Sequence, residues 1–229
     1  MGRTTINALT SRTFKKGLVD LASKDADLAS IMRDFGPPPF WHREPGFPTL
    51  IRIILEQQVS LASGKATYYR LLETASPLSP ESFLKLSDKK LKSIGFSRQK
   101  AAYGRNLSLA VLEGDLDFKA LSGMEDETVR SHLIRIKGIG PWTADIYLLT
   151  ALRRPDVWPG GDLAIVEAVR RIKALDKRPS SETLDKISSR WKPYRAVAAR
   201  VLWHYYLVST RKRHLSRPGG VRNRLQSSK

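Results

Sequence analysis

The sequence predicts an all-α protein. Apolar residues recur at helical spacing along most of the chain, and no stretch shows the strict alternation of a half-buried strand. Ser, Pro and Gly also stand where helices are expected to start and stop. The stretch "GLVDLASKDADLASIMRDFG" reads as a helix or helix pair ending at Gly36, and "PPPFWHREPGFP" is too rich in proline to continue it. "TLIRIILEQQVSLASGKATYYRLLETA" is expected to be a long, largely buried helical segment broken near Ser60 to Gly64. In "SPESFLKL", Ser79 suits an N-cap and Pro80 the first helical position. "SDKKLKSIGF" repeats the logic, with Ser87 as cap and Gly95 as stop. Helices over "RQKAAYGRNLSLAVLEG", "DETVRSHLIRI", "PWTADIYLLTAL", "DLAIVEAVRRI" and "YRAVAARVLWHYYLV" follow, with "RRPDVWPGG" as a loop.

Composition restricts the partner. The 229 residues hold 40 Lys+Arg against 22 Asp+Glu, a net charge of +18, which favours a polyanion such as nucleic acid. With no cysteine there is no disulfide framework, thiol nucleophile, Cys-ligated zinc or iron–sulfur cluster. His42, His132, His204 and His214 lack metal-ligand spacing. No apolar run has the length of a membrane span. "MGRTTINALTSRTFKKGLVD" reads as a basic arm rather than a transit peptide, and the tail "RKRHLSRPGGVRNRLQSSK", with 7 Lys/Arg and no acid, is expected to be disordered.

The informative centre is "IKGIGPWTADIYLL". Val129, Leu133 and Ile136 form one apolar helix stripe, Gly138 and Gly140 interrupt it, and Pro141 suits the first position of a new helix. Two helices joined by a Gly-apolar-Gly turn expose backbone N–H groups at the positive end of the second helix, which suits a DNA phosphate. A tight structural αα-turn has the same local sequence, and the basic charge favours the phosphate reading. Further on, Asp162 enters the next helix, where an Asp is by itself a routine N-cap.

Four motifs, "LEQQVS", "IKGIGPWTA", the Asp in "WPGGDLA" and "WKPYRAVAARVLWHY", together resemble the HhH-GPD superfamily of DNA glycosylases, and most closely the 3-methyladenine DNA glycosylase II family. The resemblance runs from about Ile31 to Val208. It implies a two-lobed helix-hairpin-helix fold, with residues 1–26 as N-terminal arm and first helix, 27–210 as glycosylase core and 211–229 as tail, and with no β-rich domain ahead of the core. It also implies a monofunctional enzyme that flips alkylated purines such as 3-methyladenine and 7-methylguanine from double-stranded DNA and hydrolyses the N-glycosidic bond. Asp162 becomes the catalytic carboxylate, a role compatible with capping because a helix N-terminus favours negative charge. Trp142 stands where bifunctional members carry a Schiff-base lysine; an indole cannot be that nucleophile, so no lyase activity is expected. Trp142, Trp203 and Gln57 are matched to the base pocket, with Trp203 also readable as core. Ile146 replaces a family pocket tyrosine. Gln58 is matched to the side chain that fills the gap left by the flipped nucleotide. Lys137, Gly138, Ile139, Gly140 and Thr143 are the expected DNA contacts of the hairpin, and the backbone carbonyls of Ile134, Ile136 and Ile139 would hold a structural Na+ or K+. No other cofactor is expected. The chain is expected to act as a monomer and, in a bacterium, in the cytoplasm with the nucleoid. The alternatives are a glycosylase for another lesion (hypoxanthine, ethenoadenine, an oxidised purine) and a catalytically silent DNA-binding protein.

Overall fold

The computed structural model describes residues 8–215, with side chains for residues 8–210. Among the described residues there are helices and no strands. The order is α1 (Ser11–Lys24), α2 (Ala26–Phe35), α3 (Phe47–Glu56), α4 (Leu61–Thr74), α5 (Pro80–Leu84), α6 (Asp88–Ser93), α7 (Arg98–Leu112), α8 (Phe118–Leu121), α9 (Asp126–Ile134), α10 (Pro141–Thr150), α11 (Leu163–Ile172), α12 (Ser181–Ser189) and α13 (Arg195–Leu215). They form two compact units: Trp41–Pro159 with the segment ending at Thr13, and Phe14–Phe40 with the segment from Gly160 onward.

In the first unit, α3 and α10 are the buried helices. Leu50, Ile51, Ile53 and Ile54 of α3 and Tyr147, Leu148 and Leu149 of α10 have at most 1% of their surface exposed. A helix with so wide an apolar face is stable only when packed on several sides, and α3 is packed by α4, α7 and α10. The expected caps are present: Ser79 and Ser87 accept the N–H groups of Ser82 and Lys90, and Pro80 opens α5.

In the second unit, α13 packs on α2 and α11. Ala196, Ala198 and Ala199 of α13 are fully buried, and their small side chains admit close neighbours. Asp25, the N-cap of α2, also accepts the Trp191 indole N–H at 2.9 Å and lies 3.1 Å from Lys173 at the end of α11. Burial opposes its charge, but the Trp191 and Lys173 hydrogen bonds outweigh that and hold its carboxyl below the ordinary value.

Four sequence expectations change. The first helix starts at Ser11, inside the stretch read as a basic arm, because Phe14, Gly17 and Leu21 form a buried stripe. The break in "EQQVSLASG" begins earlier than expected, with Gln57 as C-cap of α3 and Ser60 as N-cap of α4. Gly64 lies within α4 and lets that helix approach α3, since a Cβ there would sit 3.0 Å from Glu56 Cγ. The short α8 and the loop-bounded α12 were not foreseen, and α13 continues past 210 to Leu215. The rest of the expected tail, from residue 216, lies outside the described residues, as does the arm before residue 8.

Candidate DNA-repair site

The hairpin is α9, the turn Arg135–Gly140 and α10. Its two glycines do different things. Gly138 has φ +110°, and a Cβ there would collide with the Tyr103 ring of α7. This position therefore needs glycine for the fold itself. Gly140 is the N-cap of α10 with φ −94°, and a Cβ there would meet nothing within 4 Å. No internal packing demands glycine at that point. No side chain caps α10. Lys137 is exposed, while Ile139 is buried and anchors the turn. Thr143 is only 2% exposed, so its hydroxyl faces the protein and an approaching backbone would meet this residue through main-chain atoms.

Four polar side chains and one ring brace this hairpin. Gln57 Nε2 donates to Gly138 O and to Thr143 Oγ1, each at 2.9 Å. Asn106 Nδ2 donates to Lys137 O at 3.1 Å. Arg130 of α9 grips Asp145 of α10 at 2.7 Å, and buried Arg154 donates to the carbonyls of Leu121, Ser122 and Met124 just ahead of α9. Its Nε also lies 3.1 Å from Asp126 Oδ1, an ion pair without hydrogen-bond alignment. Tyr103, Asn106 and Lys100, all on α7, carried no sequence signal because their partners are carbonyls and a glycine far along the chain.

Gln57 is thus engaged with the hairpin. Gln58, next in the chain, is exposed and has φ +53°, a left-handed conformation uncommon for a residue with a side chain. Val59 and Leu61 beside it are 45% and 57% exposed. Lys100 Nζ donates to Leu55 O at 2.7 Å and Gln57 O at 2.9 Å, two carbonyls at the end of α3. Burial lowers the Lys100 pKa.

In the second unit, Asp162 is the N-cap of α11, its Oδ1 accepting Ala164 N–H at 3.0 Å and Ile165 N–H at 3.1 Å. The Trp203 indole N–H of α13 donates to the same oxygen at 3.1 Å. Three donors thereby fix the orientation of the carboxylate. Trp203 is half-buried, so both of its expected uses, packing and a presented ring, are compatible with its position. Trp142 is half-buried at the second position of α10, and Ile146 one turn on is buried in the core of its unit.

Among the described residues no group of three or more His, Cys, Asp or Glu is arranged to hold a metal ion. The Ile136 carbonyl accepts the Ile139 N–H at 3.0 Å.

A helix-hairpin-helix with an oriented carboxylate at the start of the following helix defines a class of DNA-handling helical proteins. Residues 51–193 match the family model of the HhH-GPD superfamily base excision DNA repair proteins, and the chain belongs to that superfamily. It is 28% identical over 184 residues to the Bacillus subtilis (strain 168) protein YfjP, provisionally named a DNA-3-methyladenine glycosylase, covering 77% of this chain and 64% of that relative. It is 26% identical over 198 residues to the alkylbase DNA glycosidase-like protein mag2 of Schizosaccharomyces pombe, covering 83% of this chain and 92% of the relative. The solved S. pombe 3-methyladenine DNA glycosylase Mag1 in complex with abasic DNA superposes with a TM-score of 0.76 at 26% identity, over 82% of this chain and 95% of that one.

Proposed function

We propose that the protein is a monofunctional DNA glycosylase that removes alkylated purines, 3-methyladenine and 7-methylguanine first, and leaves an abasic site. The observation that carries this reading is the Asp162 carboxylate, fixed by two backbone N–H groups and the Trp203 indole in a chain of this superfamily. The base must leave the stack before its glycosidic bond can be reached. An N3- or N7-methylated purine carries a formal positive charge, so it departs as a neutral base with the electron pair of the broken bond to C1′. Positive charge develops on the deoxyribose, and Asp162 stabilises it. At ~4 Å and an effective dielectric near 20, that attraction is about 4 kcal/mol, roughly a thousandfold in rate. Water then bonds to C1′ and loses its proton to Asp162 or to solvent.

Trp142 and Trp203 are the tryptophans that the family resemblance matches to base recognition, and an aromatic face favours a cationic base over a neutral one by about 0.5–2 kcal/mol through cation–π attraction. Gln58 fills the vacated place in the duplex. Lys137 and the main chain from Gly138 to Thr143 hold a DNA phosphate, and Gly140, free of internal contacts at its missing Cβ, lets that phosphate approach. A Na+ or K+ held by the carbonyls of Ile134, Ile136 and Ile139 would add positive charge at the same phosphate.

The test is release of free bases from methylated duplex DNA by wild type and Asp162→Asn, with strand breaks scored before and after alkali. We expect methylpurines from wild type only, and breaks only after alkali. Breaks without alkali would refute monofunctional action. Binding without release of methylpurines would refute the alkyl-purine assignment, and a duplex panel carrying hypoxanthine, ethenoadenine and 8-oxoguanine would then separate another glycosylase from a silent binder.

A further inference from the structure

The loop from Gln57 to Ser60 carries an unusual load: an exposed, left-handed Gln58 followed by exposed Val59 and, at the start of α4, exposed Leu61. A short exposed loop with such a residue relaxes unless something outside it holds the chain. Two groups do so. Lys100, at the start of α7, places its ammonium against the carbonyls of Leu55 and Gln57, which a helix end leaves without helical partners. A cation at a helix C-terminus is also favoured by the helix dipole. The Gln57 side chain reaches Gly138 O and Thr143 Oγ1 of the hairpin. The main chain of Gln57 is therefore fixed by α7 and its side chain by the hairpin, immediately before Gln58.

We infer that Lys100 and Gln57 are positioning residues that lock the Gln57–Ser60 loop to the hairpin, so that the side chain entering the duplex and the turn holding the backbone keep one fixed spacing. The inference rests on the proposed glycosylase reading for its effect on turnover, but its effect on the loop is independent of that reading. Lys100 acts only through Gln58 and its neighbours. A misplaced inserting group fails to hold the flipped state, which lowers the single-turnover rate on duplex DNA while leaving the chemistry at Asp162 unchanged.

The experiment compares wild type, Lys100→Met, Gln58→Ala and the double variant in single-turnover release of methylpurines from duplex DNA, with peptide-resolved amide hydrogen exchange on the free proteins. Lys100→Met keeps the aliphatic stem and removes the donors. We expect it to slow release about tenfold to a hundredfold, as ångström-scale misplacement does, and to raise exchange at residues 57–60 while the core of α3 and α10 is unchanged. In the Gln58→Ala background it should add almost nothing, because both changes remove one function. Lys100→Arg, which can still donate to both carbonyls, should recover most of the rate. Full additivity in the double variant, or unchanged exchange at 57–60, overturns the inference. If Lys100→Met fails to fold, Gln57→Met takes its place in the same comparisons. If wild type releases no base from any lesion, the glycosylase reading falls, and the exchange at 57–60 alone upholds or overturns the lock.

Discussion

At the residue scale, the two hairpin glycines separate fold from function. Gly138→Ala combines a φ of +110° with a collision against Tyr103. It should cost about 1–3 kcal/mol of stability, read as a lowered urea midpoint with an unchanged slope. Gly140→Ala adds a methyl to open space at an ordinary φ, so its stability should stay within about 1 kcal/mol of wild type, the scale of replacing a helix cap. Its affinity for duplex DNA should nevertheless fall several-fold in a fluorescence-anisotropy titration, because the methyl occupies the path of the phosphate. The reverse pattern, stability lost and affinity kept, would remove Gly140 from the phosphate contact. Asp162→Asn isolates charge in the same way. Asparagine caps a helix as well as aspartate, so the fold and DNA binding should persist while base release slows roughly a thousandfold or more. These positions were legible in the sequence because each is set by local backbone geometry. Gln57 was matched in the sequence to the base pocket, but its hold on the hairpin was not legible there, since its partners lie 81 and 86 residues away.

At the scale of elements, the hairpin is held as a unit by side chains outside its turn. Arg154 is the strongest case: it is 2% exposed and supplies donors to three carbonyls that precede α9. Arg154→Met would leave those acceptors and Asp126 without their cation, a loss of about 2–4 kcal/mol in chemical denaturation. Burial pushes the Asp126 carboxyl up, with Arg154 opposing, so the partner is costly to strand. Helix positions could be read from caps and spacing at α5, α6, α7 and α10. They could not at α8, a single turn held by Asp117 and by the Arg154 bonds, nor at the break after Glu56. There the preceding apolar run favours continuing the helix, and the stop comes from Lys100 and Gln57 binding elsewhere.

At the scale of the molecule, the net charge of +18 sets how binding responds to salt. Each phosphate neutralised contributes a slope of about −0.9 in a plot of log association constant against log salt, so a slope of about −3 or steeper is expected for duplex DNA. A slope near zero would mean that the basic residues do not meet the backbone. Acid should weaken the fold through two groups of the second unit. Hydrogen bonds from Arg170 and Arg171, against some burial, push Glu167 down to about 2, and Asp25 lies below its ordinary value through Trp191 and Lys173. Both folded values are depressed, so their stabilisation is fully present above the unfolded range near 4 and is lost as pH falls through the folded values. Unfolding midpoints between pH 5 and pH 2 should fall, and Glu167→Gln should flatten part of that dependence. No helix among the described residues is long and apolar enough to cross a membrane.

By itself the sequence determined the helical class, the polyanion preference, the hairpin with its glycines, and the capping aspartate, all of which follow from spacing, charge and local backbone rules. Tertiary structure decided which oxygen the Trp203 indole would meet, where α3 would stop, and what would hold the turn between Gln57 and Ser60. The reason is the same in each case: a polar side chain in a folded interior must find a partner, and which one lies in reach depends on how helices distant in the chain pack.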